Sequence, residues 1–367
     1  MSVHINDLLA MTVTKSASDL HLKVGGVPVL RINGELVPQD EMLEMTSEDM
    51  KQVFEEVTTD EQRSSLIEEL ELDFAYQSNG IGRFRINAYL QEGTISLACR
   101  PVQTQIPTIE DLGLPEMCKS LVLKSNGLIV VTGPTGSGKS TTLAAMMNYL
   151  NEKEKRKIVT IEDPIEFVYQ DKKCVFSQRE LGTDTRSFAN ALKHALRQDP
   201  DVILVGEMRD LETMAAALTA AETGHLVLTT LHTPSAPQAV DRFIDIFPPH
   251  QQQQVRVQLS TTLEGVLYQT LVPRSDGSGR VAAVEIMVAT TAIRNLIREG
   301  KTYQLMNVIQ TGSQYGMQTL DQALLALCRN GIISREEALT RSANVEELKE
   351  MLDGSQSTAI YQGKARA

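Results

Sequence analysis

The chain has 367 residues, 42% hydrophobic and 22% charged, with a formal net charge of −12. That length allows two domains with full cores, and the acidic balance argues against nucleic-acid binding by the whole-chain field, leaving only a local basic channel open. The four cysteines, at 99, 118, 174 and 328, form no C-x-x-C pair, so neither a zinc site nor a disulfide framework is expected, and the thiols read as reduced and cytosolic.

Met1-Ser2-Val3-His4-Ile5-Asn6-Asp7 lacks a basic n-region and an apolar h-region, so it is not read as a signal peptide. No apolar run approaches the ~18 residues of a membrane span. Any membrane role is expected to come through a partner. Ile5, Leu8, Leu9 and Val13 follow helical spacing over residues 5–15. Ser18-Asp19-Leu20-His21-Leu22-Lys23-Val24 alternates like a strand. Asn33-Gly34 between two short apolar runs signals a tight hairpin. Residues 47–70 read as one or two surface helices, with an N-cap in Thr46-Ser47-Glu48-Asp49. Strands return at 72–76, 82–89 and 94–100, which completes an α+β domain over 1–100. The proline-bearing stretch 101–113 is expected to be a linker. Beyond it, over 114–290, strands (128–132, 157–161, 202–206, 225–230 and a later pair at 266–272 and 281–286) alternate with helices, the pattern of an α/β domain with a parallel sheet. Residues 291–353 read as helical and the tail 354–367 as disordered.

The second domain is organised around Gly133-Pro134-Thr135-Gly136-Ser137-Gly138-Lys139-Ser140, the phosphate-loop form G-x-x-x-x-G-K-[ST]. The apolar run Leu128-Ile129-Val130-Val131-Thr132 precedes it, and helix-forming Thr141-Thr142-Leu143-Ala144-Ala145-Met146-Met147 follows. Glycines let the backbone turn its N–H groups toward phosphate oxygens, and the helix N-terminus adds positive potential. Lys139 is expected to reach the outer phosphates of ATP and the Ser140 hydroxyl to ligate Mg²⁺. The structural alternative is a glycine-rich turn, disfavoured by the flanking strand and helix.

Hydrolysis also needs acids near the metal and the attacking water. Three apolar runs end in polar groups, at the C-terminal edge where open α/β sheets bind ligands: Glu162-Asp163, Gly206-Glu207 and His232. Glu207 is the expected catalytic carboxylate, acting on the metal through water, one glycine later than the plainest Walker-B pattern. Glu162 is the second candidate, for ordering the metal's waters or coupling to the neighbouring domain. His232 is a candidate γ-phosphate sensor. A histidine in an apolar stretch is more often a satisfied core residue, and for His225 the two readings are balanced. In Gly82-Arg83-Phe84-Arg85-Ile86-Asn87, alternation puts Arg83 and Arg85 on one face. With Arg100 they form a cluster that suits a phosphate on a neighbouring subunit, or equally local ion pairs.

These motifs closely resemble those of the type IV pilus retraction ATPases of the secretion ATPase superfamily. The resemblance runs from Ile5 to about Leu339 and includes Ser18-Asp19-Leu20-His21-Leu22, the arginine strand and the phosphate loop. It also includes Thr160-Ile161-Glu162-Asp163-Pro164-Ile165-Glu166-Phe167, the stretch Arg197–Asp210, and Thr223-Gly224-His225-Leu226-Val227-Leu228-Thr229-Thr230-Leu231-His232-Thr233. Ala292-Ile293-Arg294-Asn295-Leu296-Ile297-Arg298-Glu299 is similar to the C-terminal helix of the retraction branch. The four-cysteine zinc module of the extension motors is absent from Gln269-Thr270-Leu271-Val272-Pro273. The resemblance implies a PAS-like N-terminal domain, a RecA-like ATPase domain and a cytoplasmic homohexamer docked on an inner-membrane platform protein. A paralogous retraction motor that shares the work is left open. It makes Glu162 and Asp163 acid-box residues, His225 and His232 histidine-box residues, and Glu207 the Walker-B glutamate, with one or more of Arg83, Arg85 and Arg100 acting between subunits. The competing readings are an extension or type II secretion motor, a DNA translocase, and a nucleotide-gated scaffold that does not turn over.

Overall fold

The alternating stretches and the continuous apolar runs fold into separate sheets. The computed structural model describes residues 4–32, 34–102 and 105–353. Asn33 of the expected hairpin turn, 103–104 of the expected linker, and the tail expected to be disordered lie outside these residues.

The first unit comprises Met1–Gln105 with Glu166–Val168. Its strands are β1 (Asp19–Leu22), β2 (Val29–Ile32), β3 (Glu35–Pro38), β4 (Glu71–Ser78), β5 (Gly82–Gln91) and β6 (Thr94–Pro101). They form one six-stranded sheet in the order β3-β2-β1-β6-β5-β4, antiparallel throughout. β2 and β3 pair with Ile32 opposite Glu35, which closes the tight hairpin that the sequence pattern implies. Period-two alternation puts Phe84, Ile86 and Ala88 of β5 in the core, while Arg83, Arg85 and Asn87 face away from it. The helices Ile5–Thr14, Ser47–Val57 and Asp60–Glu69 bury Ile5, Leu8, Leu9, Val53, Phe54 and Leu66 in the same core. Val13, expected on that apolar face, is 45% exposed. Reciprocal capping boxes at Thr46/Asp49 and Thr59/Gln62 fix where the second and third helices begin.

The second unit spans Ile106–Ile165 and resumes at Tyr169. Its strands are β7 (Gly127–Thr132), β8 (Lys157–Glu162), β9 (Val175–Glu180), β10 (Val202–Val205), β11 (Leu226–Leu231), β12 (Leu263–Pro273) and β13 (Arg280–Val288). The sheet order is β13-β12-β7-β11-β10-β8-β9, parallel except for β13. β7, β10 and β11 are buried along their whole length, which explains their unbroken apolar runs. Alternate residues serve two cores. Leu128, Val130, Ile203 and Val227 pack with the helices Leu211–Glu222 and Ala236–Asp245 on one face. Ile129, Val131, Leu204 and Leu228 pack with the helix Lys139–Lys153 on the other. Ile109, inside the stretch expected as linker, is buried in this second core. The C-terminal helices add no separate layer at their start, because Ile293 and Ile297 of Thr291–Arg298 sit fully buried in the first of the two cores. β9 has no apolar run. It is an edge strand, half-buried over most of its length, and sequence pattern gives no sign of it.

Candidate nucleotide site

The phosphate loop and the candidate acids lie at the C-terminal edge of the parallel strands. β7 ends at Thr132, and the chain turns through 133–138 into the helix Lys139–Lys153. Gly136 and Gly138 adopt φ of 76° and 86°, and Gly133 has φ 148°. A Cβ on Gly133 would fall 2.2 Å from the carbonyl oxygen of Gln269 and 2.8 Å from Ser137 Oγ. Glycine is therefore required there by contact as well as by dihedral. Pro134, Thr135 and Gly136 form an exposed crest, while Ser140 and Thr141 are half-buried at the start of the helix. The Lys139 ammonium is folded back, donating to the carbonyls of Gly133 at 2.9 Å and Pro134 at 3.0 Å. Ser137 Oγ is buried with no hydrogen-bond partner. An orphaned donor inside a glycine-lined cradle beside a lysine fits a phosphate ligand.

Across the cradle stand the acids. Glu162 ends β8, buried, and its Oε1 accepts from Thr160 Oγ1 at 2.6 Å and Gln178 Nε2 at 3.3 Å. Asp163, the next residue, is exposed. Glu207 follows Gly206, whose N–H donates to the Ile161 carbonyl at 2.8 Å and whose carbonyl accepts from Thr230 Oγ1 at 2.6 Å. A Cβ on Gly206 would stand 3.3 Å from Glu162 Cα. The extra glycine in the Walker-B pattern is thus what lets the Glu207 turn pass close against Glu162. Glu207 Oε1 pairs with Arg209 Nε at 2.7 Å, and its Oε2 lies 3.9 Å from His232 Nε2. The loop carrying His232 is tied to the phosphate-loop strand, since Thr233 N–H donates to Thr132 Oγ1 at 2.8 Å. Partial burial pushes the His232 imidazolium pKa down, and the cations of Lys139 and Arg209 add to this against the opposing pull of Glu207. Lys139, Ser140, Glu162, Glu207 and His232 therefore share one end of the sheet.

His225 does not join them. It precedes β11, at the other end of the strand, with Nδ1 3.0 Å from the Ala220 carbonyl oxygen. The three arginines belong to the first unit. Arg100 meets the buried Asp19 carboxylate through Nε at 2.8 Å and Nη2 at 2.7 Å, while Arg85 lies 3.6 Å from Asp73. Arg85 and Arg100 are direct cross-strand partners, so these acids relieve a like-charge contact. Arg83 and Arg100 both line a cleft of about 910 Å³ within that unit.

Sequence pattern missed three contributors. Thr230 and Thr160 are threonines in buried strands, where β-branched residues ordinarily pack. Gln269, 2% exposed on β12, donates through Nε2 to the Ser137 carbonyl at 2.7 Å. A glutamine inside an apolar strand was the available signal.

A phosphate loop between strand and helix, with acids at the neighbouring strand ends of a parallel sheet, defines a P-loop ATPase. The chain belongs to the type II/IV secretion system protein family, whose model matches residues 4–341. It is 49% identical over 334 residues to the type IV pilus retraction ATPase PilT of Pseudomonas aeruginosa, covering 91% of this chain and 96% of that one. It is 48% identical over 321 residues to a twitching motility protein of Neisseria gonorrhoeae, covering 88% and 86%. A crystal structure of the pilus retraction motor PilT with bound ADP matches with a TM-score of 0.89 at 45% identity, over 95% of this chain and 99% of that chain.

Proposed function

We propose that the chain is the ATP-hydrolysing motor of type IV pilus retraction, working as a homohexamer on an inner-membrane platform protein at the pilus base. The observation that carries this reading is the near full-length match to PilT, which spans both units rather than the ATPase core alone. The N-terminal unit is read as PAS-like. Among the described residues no helix is long and apolar enough to cross a membrane. The likeness to the retraction motors supports a place at the cytoplasmic face of the inner membrane, held there by its partner.

Loop N–H groups and the partnerless Ser137 hydroxyl receive the phosphates. Lys139 swings from the Gly133 and Pro134 carbonyls to the outer phosphates. Ser140, with Glu207 acting through water, would hold Mg²⁺, and the ion would supply charge neutralisation at the transferring phosphoryl group. Glu207 accepts the proton of the attacking water, while neutral His232 hydrogen-bonds the γ-phosphate. Glu162, held by Thr160, orders water beside it, and exposed Asp163 stands next to it. Arginines from the first unit of a neighbouring copy complete the charge stabilisation. Turnover then changes the angle between the two domains, and successive closures around the ring drive the platform protein.

Deleting the gene in its host tests this directly. Hyperpiliated, immobile cells are expected. Cells without pili would instead assign the chain to extension.

A further inference from the structure

We infer that Gln269 is a positioning residue for the nucleotide loop, aiming one of its phosphate-binding N–H groups; this rests on reading the loop as the phosphate site. Its side chain spans two pieces of the loop. Nε2 donates to the Ser137 carbonyl at 2.7 Å, and Oε1 accepts from Thr142 Oγ1 at 2.7 Å. The amide orientation is fixed by chemistry, because a carbonyl only accepts and so must face the amide nitrogen.

The consequence follows from the geometry of a trans peptide. C=O of Ser137 and N–H of Gly138 belong to the same peptide unit and point in opposite directions. Holding the Ser137 carbonyl toward β12 turns the Gly138 N–H to the opposite side, which on the phosphate-loop reading is the side that receives the phosphates. Thr142 sits one turn into the helix, where its N–H donates to the Gly138 carbonyl at 2.9 Å. Gln269 thus grips the end of the loop and the first helical turn together. The same residue's backbone carbonyl is the group that leaves no room for a Cβ on Gly133, at the other end of the loop. The side chain is 2% exposed, so breaking either hydrogen bond leaves a buried polar atom without water to replace it.

The two ends can be cut separately in the full-length chain. Gln269→Glu keeps an acceptor for Thr142 and removes the donor to Ser137. Thr142→Val removes the other bond, and Thr142→Ser restores its hydroxyl. Binding is read with N-methylanthraniloyl-ADP and Mg²⁺, beside KM, kcat and the melting temperature without nucleotide. Gln269→Glu is expected to weaken ADP binding by about tenfold to a hundredfold, the scale of one buried polar group left unpaired. Thr142→Val should move in the same direction and Thr142→Ser should bind like wild type. KM should rise more than kcat falls, since the loop grips phosphates in ground and transition states alike. A lowered melting temperature with wild-type ADP affinity would make Gln269 merely structural and overturn the inference. Should Gln269→Glu fail to fold, wild-type ADP binding by Thr142→Val would overturn it equally. Lys139→Ala separates the two levels. If it loses ADP while the Gln269 and Thr142 variants bind normally, only the positioning role falls; if it too binds normally, the phosphate-loop reading falls with it.

Discussion

Arg209 Nε lies 2.7 Å from Oε1 of Glu207, so the carboxylate read as the catalytic base is held in an ion pair at the edge of the cradle. The Arg209 side chain is 78% exposed and that of Glu207 only 16%. An exposed partner of this kind contributes little to folding. Its effect is to fix the carboxylate's direction, with the other oxygen left toward His232. Glu207→Gln preserves shape and removes the base. It should retain ATP binding and lose turnover by about 10²–10⁴-fold. Phosphate release with nucleotide binding measured in parallel checks this, and normal turnover would move the role to Glu162. Arg209→Gln should leave the fold intact and reduce turnover far less than Glu207→Gln does.

The first unit makes the arginine question unequal among its candidates. Arg100 donates through two nitrogens to one oxygen, Oδ1, of Asp19, whose side chain is 11% exposed, and Arg31 Nε stands 3.9 Å from Oδ2. Removing Arg100 therefore strips a mostly buried acid of its main partner. Arg100→Ala is expected to lower stability by about 1–2 kcal/mol as well as turnover. Arg85→Ala breaks a longer pair whose side chains are 45% and 57% exposed, and should leave stability unchanged. Arg83→Ala should lower the ATPase rate if this arginine acts between subunits. Wild-type rates for Arg83→Ala, Arg85→Ala and Arg100→Ala alike would refute inter-subunit arginines.

The site was legible where strands are buried and parallel. β8, β10 and β11 are apolar runs whose next polar residue marks the sheet's C-terminal edge, and that alone aligns Glu162, Glu207 and His232. The same rule separates the two histidines, because His225 comes before the run and His232 after it. The rest depended on contacts across long sequence separations. Gln269 meets Ser137 from 132 residues away, and no local pattern encodes that partner. β9 stayed hidden because an edge strand needs only one hydrogen-bonded neighbour and can remain half polar. The arginine alternation on β5 was readable, but Asp19 and Asp73 as its counter-charges were not, since register between strands is set by the folded sheet.

Glu285 on β13 is 2% exposed and gives a pH signature independent of catalysis. Its Oε1 accepts from the Ala236 N–H at 2.7 Å, at the start of the helix that follows the His232 loop. Burial pushes its pKa above the ordinary 4.5, and the neighbouring Asp321 charge adds to that, while the backbone N–H groups of Ala236 and Leu320 oppose it. Above 4.5 the unfolded chain releases a proton that the folded chain still holds. The stability this group contributes is therefore complete at low pH and is lost as pH rises through the folded value. Glu285→Gln keeps an amide oxygen for Ala236 and cannot titrate. The melting temperature of the variant minus that of wild type should accordingly become more positive as pH rises from acid to neutral. Thermal melts of both proteins across that range, in one buffer series at constant ionic strength, make the comparison. A difference that stays flat with pH would mean that Glu285 has the same pKa folded and unfolded, its N–H partners cancelling burial, and one that falls as pH rises would mean that they outweigh it.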